Sequence, residues 1–155
     1  DILNRTSGDL VFDPDDPKSL YIEHGKQSGL PVGNVIPAGT GGNSELGIFM
    51  FSSKEYALYG TGGAIQLQLN VPDQPLAVQI AWGVPYSGDK WCNVAIGVSV
   101  APNDLSPLEL FYATSNKAKK TSATASHGSY TIQAAISTDA KERGTGTVIA
   151  VVKPS

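Results

Sequence analysis

The stretch LAVQIAWGVPYSGDKWCNVAIGVSV, residues 76–100, decides the fold. Leu76, Val78, Ile80 and Trp82 alternate with Ala77, Gln79 and Ala81, the two-residue period of a half-buried strand. Val94, Ile96, Val98 and Val100 repeat the pattern against Ala95, Gly97 and Ser99. Between the two runs, Gly83 to Trp91 mixes the turn formers Pro85, Ser87, Gly88 and Asp89 with Tyr86 and Trp91. The segment therefore reads as strand, tip and strand, with the tip expected to take part in any binding. Trp82 shares the phase of Val78 and Ile80 and is assigned to the core. Trp91 is left open between core and contact. Tyr86 and Tyr112 are the rings expected at the surface.

The rest of the chain supports an all-β reading. A length of 155 residues fits one domain able to bury a core, and residues 1–155 are read as a single unit. Seventeen glycines and ten prolines punctuate short apolar runs, as sheets joined by tight turns require. A net charge of −3 lacks the basic face that nucleic acid demands. No apolar run reaches the length of a membrane-spanning helix. Cys92 is the only cysteine, so no internal disulfide forms, and it reads as a small packed side chain.

In chain order, Leu10-Val11-Phe12 is expected to be the first strand. Asp13-Pro14-Asp15-Asp16-Pro17 is a rigid acidic turn rather than a Ca²⁺ loop, because further spaced ligands are lacking. Leu20-Tyr21-Ile22 is a brief strand, followed by a polar loop from His24 to Pro31. Val35-Ile36-Pro37 suits a sheet edge, since proline donates nothing to a ladder. Leu46 to Phe51 is apolar on both faces and is read as a central strand. The twin Gly-Thr-Gly-Gly segments at 39–42 and 60–63 resemble phosphate cradles, but the second leads into alternating Ala64 to Leu69, a strand. Both are therefore read as turns. Ser106-Pro107-Leu108-Glu109 is a capping box with proline at the first helical position, opening a short helix through Tyr112. Lys117 to Gly128 is expected to be a loop. Tyr130 to Ile136 and Thr147 to Val152 form the closing strands. Asn4-Arg5-Thr6 is a glycosylation sequon.

Nothing in the motifs points to catalysis. His24 and His127 are the only histidines, and no zinc, nucleophile-elbow or paired-cysteine signature surrounds them. The chain is read as non-enzymatic, without metal or cofactor.

Leu76 to Tyr86, followed by Lys90-Trp91-Cys92-Asn93-Val94, resembles the central stretch of actinoporins, where LxVxFSVPxDYN leads into NWW(D/N)V. Gly60 to Ala64 is similar to that family's ATG(x)V turn, and Leu108 to Tyr112 to its short helix with paired tyrosines. Gly83-Val84 with Lys90 to Val94 also resembles the GV…RWCD(I/V) pattern of fungal fruit-body lectins. Both resemblances imply an actinoporin-like β-sandwich with one or two short flanking helices. The first implies a secreted protein that binds phosphocholine-type lipid headgroups and is cytotoxic or haemolytic. The second implies a lectin that binds cell-surface glycans as a homo-oligomer. Carried over residue by residue, Gly83 stands for a serine, Val84 and Pro85 match, and Phe111 and Tyr112 stand for the paired tyrosines. Tyr59 substitutes for an aromatic missing from the shortened tip, and Tyr86 adds its own ring. Asn93 stands for the lectin aspartate. The actinoporins' inserting amino-terminal helix is not expected within residues 1–155, because the first strand follows Asp1 closely and Pro14 and Pro17 break any long helix there.

Overall fold

The computed structural model describes residues 1–39, 43–53, 60–98, 107–115, 119–137 and 146–155. The described strands are β1 (Ile2–Asn4), β2 (Leu10–Val11), β3 (Leu20–His24), β4 (Lys26–Gly29), β5 (Val35–Ile36), β6 (Glu45–Gly47), β7 (Met50–Ser52), β8 (Thr61–Leu69), β9 (Leu76–Val84), β10 (Trp91–Val98), β11 (Ser122–His127), β12 (Tyr130–Ile136) and β13 (Val148–Pro154). Among the described residues one α-helix, α1, spans Pro107–Ser115, and a 3₁₀ turn covers Val32–Asn34. The hairpin sheet runs β10-β9-β8-β2-β5, with β3 also paired to β8. The terminal sheet runs β11-β12-β13-β1-β6, and β4 pairs with β7 alone.

The alternation read from residues 76–100 places the core. Strands β9 and β10 pair antiparallel from Leu76↔Val98 to Gly83↔Trp91. Val78, Ile80, Trp82, Cys92 and Val94 project to one face and meet Ile132, Ile136, Ala150 and Val152 from the terminal sheet. This is a β-sandwich. Trp82 is in the core, its ring centroid 4.4 Å from that of Phe51. Cys92 is buried, donates to the Thr121 carbonyl at 3.6 Å, and has its thiol pKa pushed up by burial.

Several expectations need correcting. The first strand is β1, not the Leu10 run; three residues carry too little periodicity to be seen. Strand β1 pairs in parallel with β13 and antiparallel with β6. The Leu46 to Phe51 run is not central. It splits into the edge strand β6 and the outlying β7, and Leu46, Ile48 and Met50 are exposed. Residues 122–127 form a strand rather than a loop, since Ala123 and Ala125 pack on the core without being large enough to announce it. The loop expected from His24 to Pro31 contains β4. Gly62 and Gly63 lie inside β8, and only Gly60 turns, at φ 69°. The acidic turn is as expected: Asp13 and Asp16 carboxylates accept from the backbone N–H of Asp15 and Lys18 at 3.0 and 2.9 Å. Strand β5 sits on a sheet edge, and α1 starts at Pro107. Ser106, the expected cap, lies outside the described residues.

Asn4 has a structural role that its sequon conceals. It is fully buried, and its amide nitrogen lies 2.8, 3.2 and 3.0 Å from the carbonyl oxygens of Gly8, Ile36 and Pro37. Its amide oxygen accepts from the Thr6 hydroxyl at 2.8 Å and the Thr6 N–H at 3.0 Å. A glycan on that nitrogen would displace these bonds and has no room in the folded chain. Asn4→Ala strands buried carbonyls and is expected to lower stability by roughly 2 kcal/mol or more, read as a fall in the urea midpoint at constant m-value.

Candidate functional site

The outer face of the hairpin sheet is lined at one end by its smallest residues. Gly62 and Ala64 of β8 face Gly83 and Ala81 of β9 in register. This row leaves room for α1, whose Leu110 and Phe111 pack there with Trp91 as a second buried cluster. A Cβ on Gly62 would lie 3.4 Å from the Phe111 ring, and one on Gly83 would run into the Trp91 indole at Nε1. Trp91 thus lies flush over Gly83 and is only 3% exposed. The question left open for Trp91 is resolved as packing, on the face opposite Trp82.

An aromatic surface is built on this floor. Phe111 touches Trp91, Tyr21 and Tyr112 with ring centroids at 5.3, 5.5 and 5.7 Å. Tyr21 and Tyr112 lie 6.0 Å apart, with their hydroxyl oxygens 3.1 Å from each other. Both hydroxyls donate to Glu23 Oε2, that from Tyr112 at 3.1 Å. Glu23 and Tyr112 are exposed and Tyr21 is half-buried, so solvent reaches two rings and a carboxylate together. Phe111 forms the floor rather than the surface, at 7% exposure.

The residues expected at a site do not come together as one constellation. Tyr112 and Phe111 join this cluster, one at its surface and one beneath. Gly83 and Val84 are buried, Gly83 under Trp91 and Val84 in the core. Pro85 is half-buried and Tyr86 exposed on the tip, where Tyr86 makes no ring contact with the cluster among the described residues. Asn93 donates its amide to the Thr114 hydroxyl at 2.7 Å and accepts from the Val94 N–H at 2.9 Å, so it ties the sheet to α1. Tyr59 lies outside the described residues. Tyr21 and Glu23 were missed. They share a strand face by their two-residue spacing, but nothing in the sequence brings that face to α1.

The architecture is that of the actinoporin-like β-sandwich. It is similar to the crystal structure of Nakanori, described as a lipid binding protein, with a TM-score of 0.69 over 98% of this chain and 70% of that one, at 14% identity. No protein-family model matches the sequence, and no curated protein matches it significantly.

The hydrogen bond to Glu23, then desolvation and the carboxylate's negative charge, hold the Tyr112 hydroxyl above the ordinary tyrosine pKa. Its folded-state pKa is raised, so its contribution is present below about pH 10 and lost as pH rises through the folded value. In an ultraviolet titration of tyrosinate, Tyr112 is expected among the late-titrating tyrosines, and Glu23→Gln should return it toward the ordinary range. Gly83→Ala forces the indole off its seat and is expected to lower stability by about 1–3 kcal/mol, measured by denaturant unfolding.

Proposed function

We propose that this protein is a non-enzymatic membrane-recognition protein that holds a phosphocholine-type headgroup on the face made by Tyr21, Tyr112 and Glu23, with Phe111 beneath it. The observation that carries the reading is the Glu23 carboxylate set among two tyrosine hydroxyls over an aromatic floor. Aromatic faces attract quaternary ammonium groups through their quadrupole, and an adjacent carboxylate adds a full negative charge. Glu23 retains unused lone pairs after accepting from both hydroxyls. The same charge repels anionic lipid, and the chain's net charge of −3 does likewise. A zwitterionic headgroup presenting its ammonium end satisfies both conditions.

Tyr86 on the tip suits the membrane interface, where a ring is sheltered and its hydroxyl stays hydrated. The lipid-binding description of Nakanori, with which this chain shares a fold, supports the reading. Asn93, the residue carried over for sugar contact, has its amide engaged with Thr114, so no observation favours the glycan reading. For cytolysis, the proposal supplies only the first step, attachment.

Cosedimentation with phosphatidylcholine vesicles and with phosphatidylglycerol vesicles tests this. Binding is expected to favour phosphatidylcholine, and Glu23→Gln and Tyr112→Ala should each weaken it roughly tenfold with little change in melting temperature. Equal or tighter binding to phosphatidylglycerol would overturn the proposal. So would a protein that ignores both vesicles and is released from cells by free sugars.

A further inference from the structure

The run from Leu46 to Phe51 carries more apolar surface than the sandwich uses. Phe49 and Phe51 pack against the core, while Ile48 and Met50 are 47% and 57% exposed. All four border a cavity of about 380 Å³ between the two sheets. Trp82 and Val84 of β9 form one wall and Val148 of β13 another. The cavity opens to solvent past Asp1, Met50 and Thr147, so a ligand can reach it. Its volume falls within the range of about 300–1,000 Å³ usual for small-ligand sites.

The chemistry of the lining selects the occupant. The walls made by Phe51, Trp82, Val84 and Val148 offer carbon, not the two to four hydrogen bonds that hold a buried water. The polar lining side chains, Thr61, Thr147 and Asp1, are half-exposed or exposed, and the Asp1 ammonium is taken up by the Val148 carbonyl at 2.8 Å. Ile48 and Met50 make the approach apolar as well. We infer that this cavity binds the hydrocarbon chain of a single-chain amphiphile. The chain lies against Trp82 and Phe51, and the polar end stays beside Thr61 and Thr147. This explains why residues 46–51 are apolar on both faces of an edge segment, where burial within the protein accounts for only one. The site goes beyond headgroup recognition and does not depend on it. Trp82 and Gly83 are successive residues of β9, so the cavity and the aromatic cluster lie on opposite faces of one strand.

Titration with 1-decanol, with 1-butanol as the short-chain control, tests the site through tryptophan emission and melting temperature. Decanol is expected to shift the emission saturably and raise the melting temperature, while butanol does neither. Trp82→Phe should remove the emission change, which identifies the reporting ring. Val84→Phe, which fills the cavity, and Met50→Lys, which charges its approach, should each weaken decanol binding by about tenfold or more. Met50 is exposed, so its variant decides the matter even if the Val84 variant fails to fold. Glu23→Gln should bind decanol as the wild type does, which separates this site from the headgroup site. Decanol that changes neither signal, or that binds the Met50→Lys protein as well as wild type, overturns the inference.

Discussion

The aromatic cluster depends on the absence of side chains beneath it. Gly62, Ala64, Ala81 and Gly83 form a patch two residues wide on the hairpin sheet with no atom beyond Cβ. That patch lets Trp91 lie flat, Trp91 and Leu110 support Phe111, and Phe111 holds Tyr21 and Tyr112 at ring-contact distance. The hydrogen bonds to Glu23 add direction rather than strength, because exposed polar contacts compete with water. Rigidity therefore comes from packing below, and a binding surface ordered in advance loses less freedom when a ligand arrives.

The same hairpin separates two environments. Its odd-numbered residues around Gly83 face the helix and the aromatic cluster, and its even-numbered residues around Trp82 face the sandwich interior. A two-residue period thus assigns one tryptophan to each side of the sheet. Neither is a surface contact, although tryptophans near a loop tip invite that reading. The exposed rings are tyrosines, whose hydroxyls remain usable in water.

Much of this was legible in the sequence because β9, β10 and β12 are long and strictly alternating, and because proline at 107 marks a helix start. The sandwich and the burial of Trp82 followed from those patterns alone. What escaped was either short or small. Strand β1 has three residues, and β11 is built of Ser, Ala and Thr as far as its last residue, His127, so that its burial is visible only against a neighbour. The Leu46 to Phe51 run misled because apolarity on both faces ordinarily means burial on both faces. Of the aromatic cluster, Tyr112 and Phe111 were picked out by resemblance. Tyr21 and Glu23 were not, since their role depends on β3 pairing with β8 beside the helix, a contact no local pattern encodes.

The pairing of β1 with β13 has a bearing on how the molecule is made. Strand β1 can dock on β6 while synthesis is still early, and β8, β9 and β10 form from neighbouring segments. The second layer, however, stays in two pieces until the closing strand emerges and lies parallel to the first. Until then the inner side of the hairpin, with Val78, Ile80 and Trp82, has only a partial cover. A nascent chain therefore passes through a stage with a large greasy surface and open strand edges, the state most prone to sticking to its neighbours. Chaperones that cover this surface before β13 is made are the natural safeguard against that loss.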